Sequence, residues 1–312
     1  MKKILISIAV VMLVGIMVAT IFYQNNTQIS KPESEKIEEQ IAKESKNPKP
    51  EKLTPILVRD NIGYTLQNEK LQITYNNGET WKTVPVQKES LFSGEYTGNK
   101  EELIQNSFIL TEKRALFFFA EKVSEFDYKL QFVTSLDQGK TWQQSTIIEK
   151  YPAIRYRKVE FLNESFGYVI VSGDRSMSSE WSSIFITSDG GLTWMEKNRP
   201  DTTRLVASGG FIDERIGFLS FGILNPEAPD VYYTQDGGGS WNHAEIAIPT
   251  QYEKIFVIAE VPFKEDDHLA MFLNQGPNGD YLGGLIKGKF ISLDNGQTWT
   301  FESEVTPDDK EN

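Results

Sequence analysis

The chain has 312 residues, 39% hydrophobic and 12% aromatic, enough to bury a sizeable core in one large domain. Its formal charge is −12, and the residues before Leu53 hold eight Lys against six Glu, so the remainder carries −14 and repels nucleic acid rather than seeking it. Cysteine is absent, which excludes disulfides, thiolate metal sites, a Cys nucleophile and a lipid-modified N-terminal Cys.

Lys2 and Lys3 precede Ile4 to Phe22, nineteen uncharged residues interrupted only by Ser7, Gly15 and Thr20. That is about the length that crosses ~30 Å of hydrocarbon. Residues 1–23 therefore read as an N-terminal transmembrane signal-anchor, with residues 4–22 in the membrane. Everything after Tyr23 is then extracytoplasmic, in a single-pass protein of the cell membrane. Cleavage near Ala19 is the competing reading and gives a secreted domain, but no Ala-x-Ala is present and the apolar run exceeds the usual ~7 to 15 residues of a signal peptide. Residues 24–52 are rich in Lys, Glu, Asn, Ser and Pro. They lack the apolar surface that would offset ordering, and read as a disordered polar linker.

From Leu53 onward the sequence repeats. Five segments share the pattern Ser/Thr-x-Asp/Asn-x-Gly-x-Ser/Thr-Trp, with the Asx at Asn76, Asp137, Asp189, Asp236 and Asp294 and the Trp at Trp81, Trp142, Trp194, Trp241 and Trp299. Each piece has a role in a hairpin turn. The Asx side chain accepts N–H groups of its own turn, the Gly supplies positive φ, and the hydroxyl makes a local bond. The Trp opens the return strand and buries its ring against the neighbouring unit.

Strand-like runs lead into each turn: Leu71 to Thr74, Leu130 to Thr134, Ile184 to Thr187, Val231 to Thr234 and Phe290 to Ser292. A looser hairpin motif precedes them at Asn61 to Tyr64, Phe161 to Tyr168 and Phe211 to Phe218, with Arg114 to Phe119 and His268 to Leu273 equivalent in the other two units. Each unit is thus four strands, A to D, with the repeated turn between C and D. The Asx positions lie 61, 52, 47 and 58 residues apart, a spacing that suits propeller blades of ~40 to 50 residues plus loops. The expected fold is an all-β propeller of about five four-stranded blades over 53–305, followed by a polar tail, 306–312.

The repeats resemble the Asp-box, or BNR, motif of sialidases, sortilin-type receptors, xyloglucanases and photosystem II assembly/stability factor-like propellers. The combination of Gly-Tyr/Phe with Ile/Val-x-Thr-x-Asp-x-Gly-x-Thr-Trp is most similar to the last group. That resemblance implies a protein-binding or assembly-assisting module at the cell surface, non-enzymatic, with no catalytic residues, cofactor or metal. The alternative it leaves open is a sialidase-like propeller that binds or hydrolyses glycans. Similarity to sialidases implies an arginine triad, a Tyr nucleophile with a Glu partner, and a Phe/Tyr-Arg-Ile-Pro stretch before the first box; here that stretch reads Leu53-Thr-Pro-Ile-Leu-Val-Arg59.

His243 and His268 are the only histidines and stand apart in sequence, which argues against a His triad or zinc cluster. Each box offers one carboxylate, too few oxygens for calcium. Of six Trp, only Trp181 lies outside a box. It falls in the loop Ser172 to Ser183 between strands B and C of the third unit, and B–C and D–A loops share the face opposite the boxes. The same face is expected to gather Tyr151, Arg155, Arg157, Arg175, Arg204, Tyr252, Tyr281 and the Lys88 to Glu102 insertion. Exposed Arg and aromatic residues are what binding hot spots use.

Overall fold

The computed structural model describes residues 12–14, 16–21 and 52–306. Residues 12–14 and 16–21 are helical, and no described helix is long and apolar enough to cross a membrane. The anchor expected over 4–22 falls largely outside the described residues, as do the linker and the tail.

A compact unit begins at Thr54 and holds five successive sheets, antiparallel but for one added strand in the fifth. The first holds β1 (Ile56–Arg59), β2 (Ile62–Thr65), β3 (Lys70–Thr74) and β4 (Lys82–Gln87). The second holds β5 (Phe108–Leu110), β6 (Ala115–Lys122), β7 (Tyr128–Ser135) and β8 (Gln143–Tyr151). The third holds β9 (Ile154–Phe161), β10 (Gly167–Ser176), β11 (Ser179–Thr187) and β12 (Met195–Lys197). The fourth holds β13 (Val206–Phe211), β14 (Gly217–Phe221), β15 (Asp230–Thr234) and β16 (Asn242–His243). In the fifth, β18 (Phe256–Ala259), β20 (His268–Gln275), β21 (Lys287–Ser292) and β22 (Thr298–Val305) form the four-stranded core. Two strands join it: β17 (Glu245–Ala247) runs parallel to β22, and β19 (Phe263–Glu265) pairs with β20.

Strand period and blade stacking explain the sequence pattern. β6 reads ALFFFAEK, its first six residues all buried, because the second sheet is covered on both faces. Alternate residues divide between two cores: Phe117 and Phe119 pack with the first sheet, Leu116, Phe118 and Ala120 with the third. In β10, Val169 and Val171 face the second sheet while Tyr168 and Ile170 face the fourth. Four such clusters join sheets one to two, two to three, three to four and four to five, as stacked blades of a β-propeller require.

The ends of the series differ from its middle. On β20, Leu269, Met271 and Leu273 enter the core shared with the fourth sheet. The opposite side of the fifth sheet carries ion pairs instead: Lys289 to Glu265 at 2.5 Å and to Glu302 at 2.8 Å, and Lys287 to Glu260. Among the described residues no hydrogen bond, ion pair, ring contact or core cluster joins the fifth sheet to the first.

The five repeated turns share one geometry. The hydroxyl of Thr74, Ser135, Thr187, Thr234 or Ser292 accepts the box Gly N–H at 2.8–2.9 Å, with that Gly at φ between 77° and 94°. The Asx Oδ1 accepts the N–H four residues on at 2.8–3.0 Å. Asn76 does this as well as the four Asp, since only its Oδ1 is needed. Trp299 is fully buried against Phe218 of the fourth sheet, at 6.0 Å between centroids. Trp194 packs on Phe132 of the second sheet at 5.2 Å, and Trp241 donates to Asn198 O beyond the third sheet at 2.8 Å. Trp142 packs against the core of the first two sheets. Trp81 is half-buried and joins no such cluster among the described residues.

Candidate functional site

The two ends of the strands present different chemistry. At the B–C and D–A end, the structure does bring Tyr151, Arg155, Trp181 and Arg204 together, but it spends most of them internally. Tyr151 is 3% exposed, its hydroxyl 3.2 Å from Val171 O, and burial pushes its phenol well above the ordinary range. Arg155 grips Glu180 through Nε at 2.5 Å and Nη2 at 2.6 Å. The same Glu180 accepts Val206 N–H at 2.6 Å, and Arg155 reaches Val206 O at 2.7 Å. The Glu180 side chain has no exposed surface, so this is a buried, bidentate clamp between the third and fourth sheets.

Arg157 is likewise buried, donating to Leu91 O at 3.2 Å and to Ser93 O; desolvation pulls its guanidinium down to about 10. Its partners belong to the segment 88–107, which follows β4. That segment buries Leu91, Phe92 and Leu103 in the first core. Glu95 N donates to Ile154 O at 2.8 Å, and Asn106 O accepts Val159 N–H at 2.8 Å. The insertion therefore ties sheets one, two and three together rather than standing free.

Arg204 pairs with Asp230 at 2.7 Å, and Arg175 lies 4.0 Å from Glu95. Trp181 is half exposed, with the Arg199 guanidinium 3.3 Å from its ring centroid. Tyr252 and Tyr281 sit elsewhere, on the fifth sheet, edge to face at 6.1 Å, with Tyr281 donating to Glu304 at 2.7 Å. The expected binding face is thus two separate groups. In the larger one, Tyr151, Arg155 and Arg157 are unavailable to a ligand because tertiary contacts already satisfy them.

At the opposite end, the A–B and Asp-box turns leave open space. A cleft of about 1210 Å³ lies between the second and third sheets, bounded by the turns around Arg114, Leu136, Asn163 and Leu192. Leu136 is 67% exposed and Leu192 52% exposed, and Trp142 and Phe161 add aromatic surface. The Arg114 guanidinium carbon lies 3.9 Å from the Phe161 ring centroid, and Nη2 donates to Glu164 O at 2.6 Å. Its Nη1 and the Thr134 hydroxyl are buried without a hydrogen-bond partner among the described residues. Burial draws the Arg114 pKa down, with Glu164 opposing.

Four carboxylates (Glu112, Asp137, Glu164, Asp189) face three cations (Lys113, Arg114, Lys140) around this cleft. Asp137 and Asp189 are held at about 2 by the hydroxyl and N–H of Thr141 and Thr193, so they stay charged but are engaged by their own turns. Glu112 and Glu164 are exposed. Among the described residues no group of three or more His, Asp and Glu converges as a metal ion would need.

Nearer the first strands, Tyr168 donates to Glu160, whose carboxylate lies 3.3 Å from Lys158. This is the residue pairing a sialidase-like nucleophile would need, yet Tyr168 has no exposed surface. Desolvation, then the nearby Glu160 charge, drive its pKa far above that of an ordinary phenol, and its proton stays in place.

Sequence reasoning missed the cleft. Its walls are turn residues of two blades, and the signals available beforehand were the apolar Leu136 and Leu192 inside otherwise polar boxes.

The BNR/Asp-box repeat is matched over residues 290–301, the fifth box. Among curated proteins no sequence matches. The chain is similar to a solved structure of a protein of unknown function from Dyadobacter fermentans, at 15% identity, covering 64% of this chain and 70% of that one, with a TM-score of 0.42. It is similar to a GH43_1 enzyme from Xanthomonas citri complexed with xylotriose, at 9% identity, 69% and 74% coverage and a TM-score of 0.36. A mutant sialidase of Trypanosoma rangeli displaying trans-sialidase activity aligns at 10% identity, 68% and 40% coverage and a TM-score of 0.40. Likeness at this level concerns fold.

The findings support Asp-box repeats and a β-propeller, and do not reach the photosystem II assembly/stability factor-like group. They also correct two expectations, the protein-binding, assembly-assisting role and the non-enzymatic assignment. The named propellers among these neighbours are an enzyme bound to xylotriose and a sialidase.

Proposed function

We propose that the domain is a glycan-directed propeller whose ligand lies in the cleft between the second and third blades, on the Asp-box face. One observation carries the reading. A roomy cleft combines exposed aliphatic and aromatic surface with a wall of charged and polar turn residues, and behind that wall Arg114 Nη1 and Thr134 Oγ1 have no partner among the described residues. A sugar ring offers the complement: an apolar C–H face and a rim of hydroxyls for the polar groups of the wall.

Charge supports an uncharged glycan, because carboxylates outnumber cations on the walls and the chain carries −12 overall, which disfavours sialosides and uronates. Hydrolysis of a glycosidic bond needs a proton donor and a second carboxylate. Glu112 and Glu164, which are not engaged by their own turns, take those roles in this reading.

Glycan-array binding and hydrolysis assays on the soluble domain test it. We expect neutral oligosaccharides to bind, Leu192→Asp to abolish binding at unchanged melting temperature, and Glu112→Gln or Glu164→Gln to remove turnover while binding persists. Selective binding of sialosides, or no glycan binding at all, overturns the reading.

A further inference from the structure

A second cleft, of about 690 Å³, opens on the same face between the A–B turns of the third and fourth sheets, bordered by Gln235 and Asn295 of the fourth and fifth boxes. It is not separate from the first, because Asn163 lines both. The ridge between them is the turn Leu162 to Phe166. Asn163 Oδ1 accepts Ser165 N–H at 2.8 Å and Phe166 N–H at 2.6 Å, while Leu162 N–H donates to Phe166 O at 3.0 Å. A ridge held by three local bonds keeps a fixed shape on which both clefts abut.

The second cleft repeats the chemistry of the first. Its floor is apolar, from Leu162, Phe166, Ile212 and Ile216, and its rim is polar. The rim is pre-set across blades. Asp213 accepts Arg215 N–H at 2.9 Å and Ile216 N–H at 2.8 Å, Arg215 Nε reaches Gln235 O at 3.2 Å, and Gln235 Nε2 reaches Asp294 O at 3.2 Å. Asp213 and Glu214 share the rim with Arg215, and Lys264 lies 3.4 Å from Asp213 Oδ2, so the charge here is balanced. The first cleft is already larger than the ~300 to 1,000 Å³ that holds a small ligand, and the second falls within that range. A mono- or disaccharide would leave much of this joined space unfilled.

We infer that the two clefts are one groove, and that its occupant is the interior of an uncharged polysaccharide chain lying across the Leu162–Phe166 ridge, with Asn163 touching both halves. This rests on the glycan reading above and adds to it the class of ligand: a polymer gripped along its length rather than a chain end. Matching polar-over-apolar linings on the two sides of one rigid ridge, with no excess of cations on either, are what an uncharged ligand of repeating units demands.

Calorimetric titration of the soluble domain with xylo- and cello-oligosaccharides, from two to six sugars, tests the inference. Affinity is expected to rise at least about tenfold from three sugars to six, one decade being ~1.4 kcal/mol. Arg215→Ala and the blocking Glu214→Trp, both at exposed positions, should erase that rise while leaving the trisaccharide unaffected, whereas Leu192→Asp should abolish binding at every length. Affinity independent of length, or a rise that survives both second-cleft variants, overturns the polymer inference and leaves the glycan reading standing. An extended peptide displacing the hexasaccharide from the second cleft alone overturns it too. No oligosaccharide of either series binding at any length counts against the glycan reading itself.

Discussion

The two ends of the strands are built from similar residues put to opposite uses. Both hold arginines beside carboxylates and a tryptophan near a turn. At the B–C and D–A end, Glu180 takes two bonds from Arg155 and one from Val206 with no exposed surface, so charge there fastens the third blade to the fourth. At the Asp-box end, Arg114 makes one bond to Glu164 O, and its buried Nη1 has no hydrogen-bond partner among the described residues. The difference lies at the clamp rather than in the whole loop-face end, because Arg199 Nη1, beside Trp181, is also buried without a partner among the described residues. A satisfied polar network rigidifies, whereas a roomy cleft lined by exposed apolar and polar turn residues has surface left to offer a ligand.

The largest expected effect lies at the clamp. Glu180→Gln removes one partner of a buried ion pair, a change that costs about 3 to 5 kcal/mol. It should lower the melting temperature by roughly 10 °C in a thermal scan, with glycan affinity at low temperature unchanged. A loss below about 1 kcal/mol would mean that the clamp is solvated and the two ends are less different than described.

Legibility in the sequence follows the reach of each interaction. The five boxes and the A–B hairpins could be read because their hydrogen bonds close within a few residues, as Thr74, Asn76, Gly78 and Thr80 do. The fates of Arg155 and Arg157 could not. Glu180 is 25 residues from Arg155, and the Leu91 carbonyl lies 66 residues from the guanidinium it accepts from. The groove was invisible for the same reason, since it exists only where turns of adjacent blades stand side by side. β17 also escaped notice, because a strand of only three residues joins the fifth sheet through the edge of β22.

A smaller effect is expected at Trp181. Trp181→Ala removes an exposed cation–π contact with Arg199, worth about 0.5 to 1 kcal/mol in chemical denaturation, and should leave glycan binding intact. Weakened binding in this variant would move the ligand to the loop face and erase the contrast between the two ends.

The smallest effect concerns pH. Asp137 sits at about 2 against an ordinary 3.8 because the Thr141 hydroxyl and N–H, then the Ser135 hydroxyl, bond its ionised form. A carboxyl depressed on folding stabilises above its ordinary value, and that stability is lost as pH falls from there toward the folded value. Asp137→Asn, the amide that the first box already has at Asn76, keeps the Oδ1 bonds but not the charge, and should therefore lower stability slightly at pH 7 and flatten the acid decline between about pH 4 and 2. An unaltered acid profile would show that the box carboxylates do not titrate as their hydrogen bonds require.

The central claim, that the Asp-box end is the ligand-bearing end, is tested most directly by hydrogen–deuterium exchange of the soluble domain with and without a neutral hexasaccharide. Slowed exchange should appear in the turns around Arg114, Asn163, Leu192 and Ile216, with none around Trp181, Tyr252 or Tyr281. Protection confined to those loop-face residues would contradict the account.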